Sequence, residues 1–496
     1  MNRSSVNNIL FLSLSSATLL AQESKPNVVF IVVDDLAYDA IESSGRYPFL
    51  KTPNINRIQN EGVTFNNFFC TMSLSSPSRA CFLTGMYPHK HGVTQNHDKV
   101  DANWEKYPSY THYLQQAGYE TAFIGKIHQA SLKGKDQVRP GFDYWLGFRG
   151  QGHYVKNVFN ENGVEFNKDG YITDVLTDYS ENWLLEKRNK NKPFNLCLWH
   201  KGVHGPFQPA PRHLGIFAND TLPIPPNGNG VDSFAGKPDW QILKKKHYKI
   251  WDKDPQWNPK FKEPINILET LTAIDESVGR IYKLLEKTNQ LDNTMIIFTS
   301  DNGYFMGEHG YWDKRISYEE SMRIPMIIRY PAKIKAGSKI DKMCLNVDVA
   351  PTILQLLGLE IPQQMQGKSM MPLFENENKA KWRKQFMFEY FVDDAFPYAG
   401  PTQLALRTER YKLVDNNLKN DIDELYDLQQ DPGEMNNLIN NPDFKNKVSE
   451  MRKELEKEKK SLEFNEDRDF WLRTQVPLWD AKYKSKNLKN NSNQHE

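Results

Sequence analysis

Four short runs of apolar residues lead straight into charged or polar side chains. Asn27 to Val33 precedes Asp34 and Asp35, and Thr294 to Ser300 precedes Asp301, Asn302 and Gly303. Thr121 to Gly125 precedes Lys126, Ile127 and His128, and Phe194 to Trp199 precedes His200, with His204 just beyond. Runs of this length without polar alternation predict strands covered on both faces. Between them the apolar spacing turns helical: Tyr110 to Ala117 stopped by Gly118, Ile265 to Leu285, and Val347 to Leu357 stopped by Gly358. The alternation predicts an α/β fold, a large mixed, mostly parallel sheet sandwiched by helices. Ligands of such sheets gather outside the carboxyl ends of the strands, so the polar strand ends predict one shared site.

Beyond residue 375 the pattern changes. Phe386 to Phe391, Gln403 to Arg407 and Arg410 to Val414 read as short strands, and Lys445 to Leu462 as a charged helix. The chain therefore divides into a catalytic domain over 25–375, a smaller C-terminal α+β subdomain over 376–480 and a polar tail over 481–496. Residues 205–264, rich in Pro, Gly, Asn and Trp, read as a long loop region beside the site. Arg3 followed by the apolar stretch Ile9 to Ala21 reads as an export signal over 1–21, despite the poorly suited Leu19 at −3. Its cleavage would leave a periplasmic or secreted protein. No later run approaches the length of a membrane span.

Composition adds little that is specific. With 63 basic and 62 acidic residues there is no reason to expect nucleic acid, and an anionic ligand must be met by a local basic site. Cys70, Cys81, Cys197 and Cys344 match no zinc spacing and read as buried thiols.

The candidate chemistry begins with Asp34, Asp35, Asp301 and Asn302. One Asp at a strand end is often a turn former. Two such pairs closing two buried strands form an oxygen-only set that suits calcium or magnesium rather than zinc. Ser75-Ser76-Pro77-Ser78-Arg79-Ala80-Cys81-Phe82-Leu83-Thr84-Gly85 reads as a helix start. Pro77 fits the first turn, Arg79 to Met86 is helical in pattern, and Ser75 lies at the positive end. Composition alone says no more than a polar helix start. Trp199, Trp240, Trp251 and Trp257 are either core or sugar-stacking platforms. Lys244 to Lys246 are either a solvated face or a contact for an anionic chain.

The Ser75 to Gly85 segment resembles the signature of formylglycine-dependent sulfatases of the alkaline phosphatase superfamily, in its serine-type version. Asn27 with Asp34-Asp35, Gly125-Lys126-Ile127-His128, His204-Gly205-Pro206-Phe207, Asp301-Asn302-Gly303 with Gly307-Glu308-His309-Gly310 and Lys314, and Glu424 to Leu428 with Asp431 to Glu434 resemble the family's other elements in order. The resemblance spans nearly the whole mature chain, and the stretch His204 to His213 resembles bacterial carbohydrate sulfatases. It implies an alkaline phosphatase-like fold and a Ca2+ or Mg2+ site formed by Asp34, Asp35, Ser75, Asp301 and Asn302. It implies oxidation of Ser75 to formylglycine (3-oxoalanine) by an anaerobic radical-type maturase, the hydrated aldehyde being the nucleophile. Arg79, with the metal, would stabilise one hydroxyl as an alkoxide, Lys126 and Lys314 would bind sulfate oxygens and offset charge, His128 and His204 would be acid–base groups with His204 protonating the leaving alcohol, and His309 would line the substrate site. The implied substrate is a sulfated carbohydrate such as ulvan, carrageenan, a glycosaminoglycan or mucin. Two other readings are a phosphatase or phosphodiesterase using unmodified Ser75 with two zinc ions, and a catalytically silent carbohydrate-binding relative. Asn302, where the former more often have His, argues against the phosphatase.

Overall fold

The computed structural model describes residues 25–96, 101–130, 132–228, 236–241, 263–391, 400–417 and 421–465. The expected export signal, the polar tail, Trp251, Trp257 and Lys244 to Lys246 lie outside the described residues. The strands are β1 (Asn27–Val33), β2 (Val63–Phe65), β3 (Phe68–Phe69), β4 (Glu120–Gly125), β5 (Tyr144–Phe148), β6 (Lys156–Glu161), β7 (Val164–Asp169) and β8 (Phe194–Trp199). They continue with β9 (Thr294–Ser300), β10 (Met326–Arg329), β11 (Ser338–Ile340), β12 (Cys344–Leu345), β13 (Gln385–Tyr390), β14 (Gln403–Thr408), β15 (Tyr411–Asp415) and β16 (Glu424–Asp427).

Ten strands form one sheet in the order β11-β2-β10-β9-β1-β8-β4-β5-β6-β7. The central five, β9, β1, β8, β4 and β5, are mutually parallel. Antiparallel β10 and the β6–β7 hairpin flank them. The continuous apolar runs have a direct physical cause. Along β1, Val29, Ile31 and Val33 enter one core while Val28, Phe30 and Val32 enter the other, so neither side of the strand meets water. Helices Pro53–Glu61, Ile172–Asn182 and Glu263–Lys287 cover the first face, and Ser75–Thr84, Tyr110–Gln116 and Val349–Leu356 the second. The helix with Pro77 in its first turn and Ser75 at its positive end runs from Ser75 to Thr84. Pro77 allows this because the first turn of a helix has no use for its missing N–H.

β13 to β16 make a small antiparallel sheet. One face packs under the helix Lys445–Ser461 through Met451 and Leu455. The other carries Phe386, Phe388 and Tyr390 against Phe69, Met72 and Leu74. All four cysteines are buried free thiols. Trp199 and Trp240 are core residues rather than sugar platforms. Trp199 packs edge-on against Phe30 and Phe123, and Trp240 is 2% exposed.

Candidate active site

The polar strand ends converge, and local backbone geometry makes this work. Asp35 takes φ +62°, which turns the chain as β1 ends, so that Asp34 and Asp35 need not point to opposite faces. Beside them, Asp301 Oδ1 accepts from Asp35 N at 3.1 Å, and Asn302 Nδ2 donates to Asp35 Oδ1 at 2.8 Å. The turn closes on Gly303, where a Cβ would sit 2.2 Å from the Glu320 carbonyl oxygen. Gly125 does the same for β4. A Cβ there would fall 1.9 Å from the Trp199 carbonyl oxygen, so only glycine lets Lys126 N donate to that oxygen at 2.9 Å. Lys126 Nζ then reaches Asp34 and Gln151.

Ser75 opens its helix, and its Oγ donates to Asp34 Oδ1 at 3.1 Å. One turn on, Arg79 binds Asp301 Oδ2 through Nε at 3.0 Å and lies 3.6 Å from Asp34. Ser78 accepts from Asn346 Nδ2 at 2.8 Å, which ties the helix to the chain before Val349–Leu356. Lys314 Nζ donates to both oxygens of Asp35. Its loop is held from the small sheet, where Gln403 Oε1 accepts from Ser317 N at 3.1 Å and Lys412 Nζ donates to Ser317 O at 3.0 Å.

His204 completes the cluster. Its Nδ1 lies 2.8 Å from Gly205 O, which can only accept, so Nδ1 carries the proton and Nε2 faces Asp35 at 3.6 Å. Its side chain is 19% exposed while those of Asp34, Arg79 and Lys126 are at 0%, so His204 is the most open of these groups. His128 sits at φ +60°. Its carbonyl accepts from Ser76 Oγ, and its Nδ1 is buried with no hydrogen-bond partner. His309 is held in a neighbouring polar cluster, stacked on Tyr318, with Asn227 Nδ2 and Lys237 Nζ at its two ring nitrogens. Glu320 Oε2 lies 3.8 Å from its Nε2.

The electrostatics follow from gathering charge in a dry place. Burial alone would raise Asp34, but Lys126, His204, Arg79 and Lys314 hold it well below the usual carboxylate range. Asp301 goes the other way, to about 7, through burial and then its neighbour Asp34. Burial pulls Lys126 down against the attraction of Asp34. Lys314 is raised because Asp35 and Asp34 outweigh its burial. Burial holds His204 near 4, so the resting imidazole is neutral. The donor set fits a hard cation. Asp34, Asp35, Asp301 and Asn302 offer oxygens, and Asn302 Oδ1 is buried without a hydrogen-bond partner. Donor atoms of Asp34, Asp35 and His204 lie within 4.8 Å of one another, which adds a nitrogen that the oxygen-only reading did not include.

Sequence reasoning passed over Gln151, Tyr154 and Lys201. Lys201 carries the strand-end signal that singled out Lys126, one residue further along. Gln151 and Tyr154 follow β5, a central strand absent from the four apolar runs.

His200 and His91 play no part in the cluster, but both are held near 3, chiefly by burial. The unfolded chain takes up their protons below about pH 6.5 while the folded chain does not. Thermal melts should therefore show full stability above that pH and a falling Tm as pH drops from about 6.5 towards 3. A Tm that rises over this interval would contradict the assignment.

The family model described as Sulfatase matches residues 26–359. A second model, N-sulphoglucosamine sulphohydrolase, C-terminal, matches 307–461. An N-acetylglucosamine-6-O-sulfatase of Bacteroides thetaiotaomicron is 37% identical over 92% of this chain and 90% of its own length. The human N-acetylglucosamine-6-sulfatase is 31% identical over 74% of this chain and 67% of its own. A solved structure described as being in complex with its substrate D-glucosamine-2-N,6-O-disulfate superposes with a TM-score of 0.80. It is 35% identical and covers 90% of this chain and 99% of that one.

Proposed function

The chain belongs to the sulfatase family, with the alkaline phosphatase-like fold and hydrolase activity that membership carries, and on that premise we propose that it removes 6-O-sulfate from glucosamine-type units of a sulfated glycan. The observation that carries the reading is the cluster of Asp34, Asp35, Asp301 and Asn302, which Ser75 joins through Asp34 at the start of its helix. The names of the glucosamine-sulfate relatives support the substrate class.

In this reading Asp34, Asp35, Asp301 and Asn302, with residue 75, hold Ca2+, and Mg2+ is the other cation their oxygens suit. When bound, the ion supplies Lewis-acid polarisation. Ser75 is matured to formylglycine by the radical-type maturase, and the hydrated aldehyde supplies the attacking oxygen and a second hydroxyl that lets sulfate leave. Lys126 and Lys314, whose ammonium groups rest on Asp34 and Asp35, turn to the sulfate oxygens and offset their charge. Arg79 holds Asp301 and Asp34 in place. His204, on the open side, protonates the leaving alcohol once the anionic substrate beside it raises its proton affinity. His128 is the second acid–base group. The stretch Ile9 to Ala21 supports export to the periplasm or beyond, and among the described residues no helix is long and apolar enough to cross a membrane.

Supplying N-acetylglucosamine-6-O-sulfate, other sugar sulfates and the matched phosphate esters should give sulfate from the first and little phosphate from any, measured by ion chromatography. Phosphate release without sulfate release would transfer the chain to the phosphatase reading. His204→Ala should slow sugar sulfates by about 10²-fold or more. It should spare 4-nitrophenyl sulfate, whose phenolate leaves without a proton.

A further inference from the structure

Lys201 is a buried cation that this mechanism does not use. It is 0% exposed, and no carboxylate pairs with it among the described residues. An ammonium in that position is costly unless something is gained by holding it there. Its Nζ donates to Gly205 O at 3.3 Å and lies 4.7 Å from the Tyr154 ring centroid, a cation–π contact. Gly205 O is the same oxygen that accepts from His204 Nδ1. Tyr154, 2% exposed, donates from Oη to His204 O at 2.6 Å. Tyr154 stacks on Tyr171 at 5.8 Å, and Tyr171 Oη donates to Gln208 O at 3.0 Å. Two consecutive carbonyls of the turn that bears His204 are therefore held by two buried side chains, and the turn is braced again three residues on.

We propose that Tyr154 and Lys201 are positioning residues, a clamp that fixes the His204–Gly205 turn so that His204 Nε2 meets the oxygen of the leaving alcohol. The inference rests on the reading of His204 as the acid. By orienting Gly205 O, Lys201 fixes the ring through its Nδ1–H, and Tyr154 fixes the backbone that carries it. Neither touches the substrate. Fixed donor geometry matters because proton transfer falls off steeply when the acid is misplaced by as little as about 1 Å.

The test uses the full matured protein with Tyr154→Phe, which keeps the ring under Lys201, and Lys201→Met, which keeps the stem. Each should slow the sugar sulfate by about 10-fold and leave 4-nitrophenyl sulfate within about twofold, with kcat rather than KM moving. Equal loss on both substrates would mean general disruption and overturn the clamp, as would no loss on either. His204→Ala run in parallel separates the two failures. If it is selective and the clamp variants are not, the clamp alone is wrong. If it loses both substrates equally, the acid assignment falls and the clamp with it.

Discussion

Ser75→Ala is expected to lower turnover of the sugar sulfate by about 10³-fold or more while leaving the fold intact. Among the described residues the Ser75 hydroxyl makes one hydrogen bond, to Asp34 at 3.1 Å, and the helix it opens is held by residues further on, such as Ser78 and Arg79. Losing one hydroxyl therefore removes little packing, and circular dichroism and Tm should change only slightly. The chemical loss is of a different order, because without the hydroxyl there is nothing to oxidise. Peptide mass spectrometry across Ser75 in active enzyme should find a residue two hydrogens lighter than serine. The same chain from a host without the maturase should carry plain serine and be inactive. Active enzyme with unmodified serine would overturn the formylglycine mechanism and leave the fold untouched.

Calcium chelation followed by Asp35→Asn should give the second large effect. Three carboxylates, Asp34, Asp35 and Asp301, crowd one buried place against Arg79, Lys126 and Lys314. In the proposed mechanism the two lysines leave their carboxylates to bind sulfate, and a divalent cation would replace their charge. Removing it with EDTA, which strips Mg2+ as well as Ca2+, should abolish sulfate release and lower Tm, since an ion present at about 100 times its Kd stabilises the native state by about 2.7 kcal/mol. Added Ca2+ should restore both. Asp35→Asn keeps the shape and removes one charge, so half-activation should need at least about tenfold more Ca2+. It also leaves Lys314 without its nearest carboxylate, and loss of one partner from a buried pair costs about 3–5 kcal/mol. Activity that survives exhaustive chelation would remove the metal from the mechanism.

The sheet was legible because β1, β4, β8 and β9 feed both cores on alternate residues, and such strands can only be apolar throughout. β10 and the β6–β7 hairpin were not. β10 is a four-residue strand, and β7 is largely exposed, so neither carries the continuous run. The candidate site divides in the same way. Residue type and position at a strand end were enough to single out Asp34, Asp35, Lys126, Asp301 and Asn302, because a parallel sheet brings its carboxyl ends together whatever the loops do. His204, five residues past the end of β8, was singled out from His200 by the family resemblance of its His-Gly-Pro element. What those side chains touch was not encoded locally. Only the packed chain places Lys126 on Asp34, props Lys314 from Gln403 and Lys412 of the small sheet, and turns His309 towards Asn227 and Lys237. Lys201 and Tyr154, 47 positions apart in sequence, meet over the carbonyls beside His204. Short-range pattern decides which residues reach the end of the sheet. Contacts between segments distant in the chain decide what each one holds, because their geometry exists only once both cores have closed.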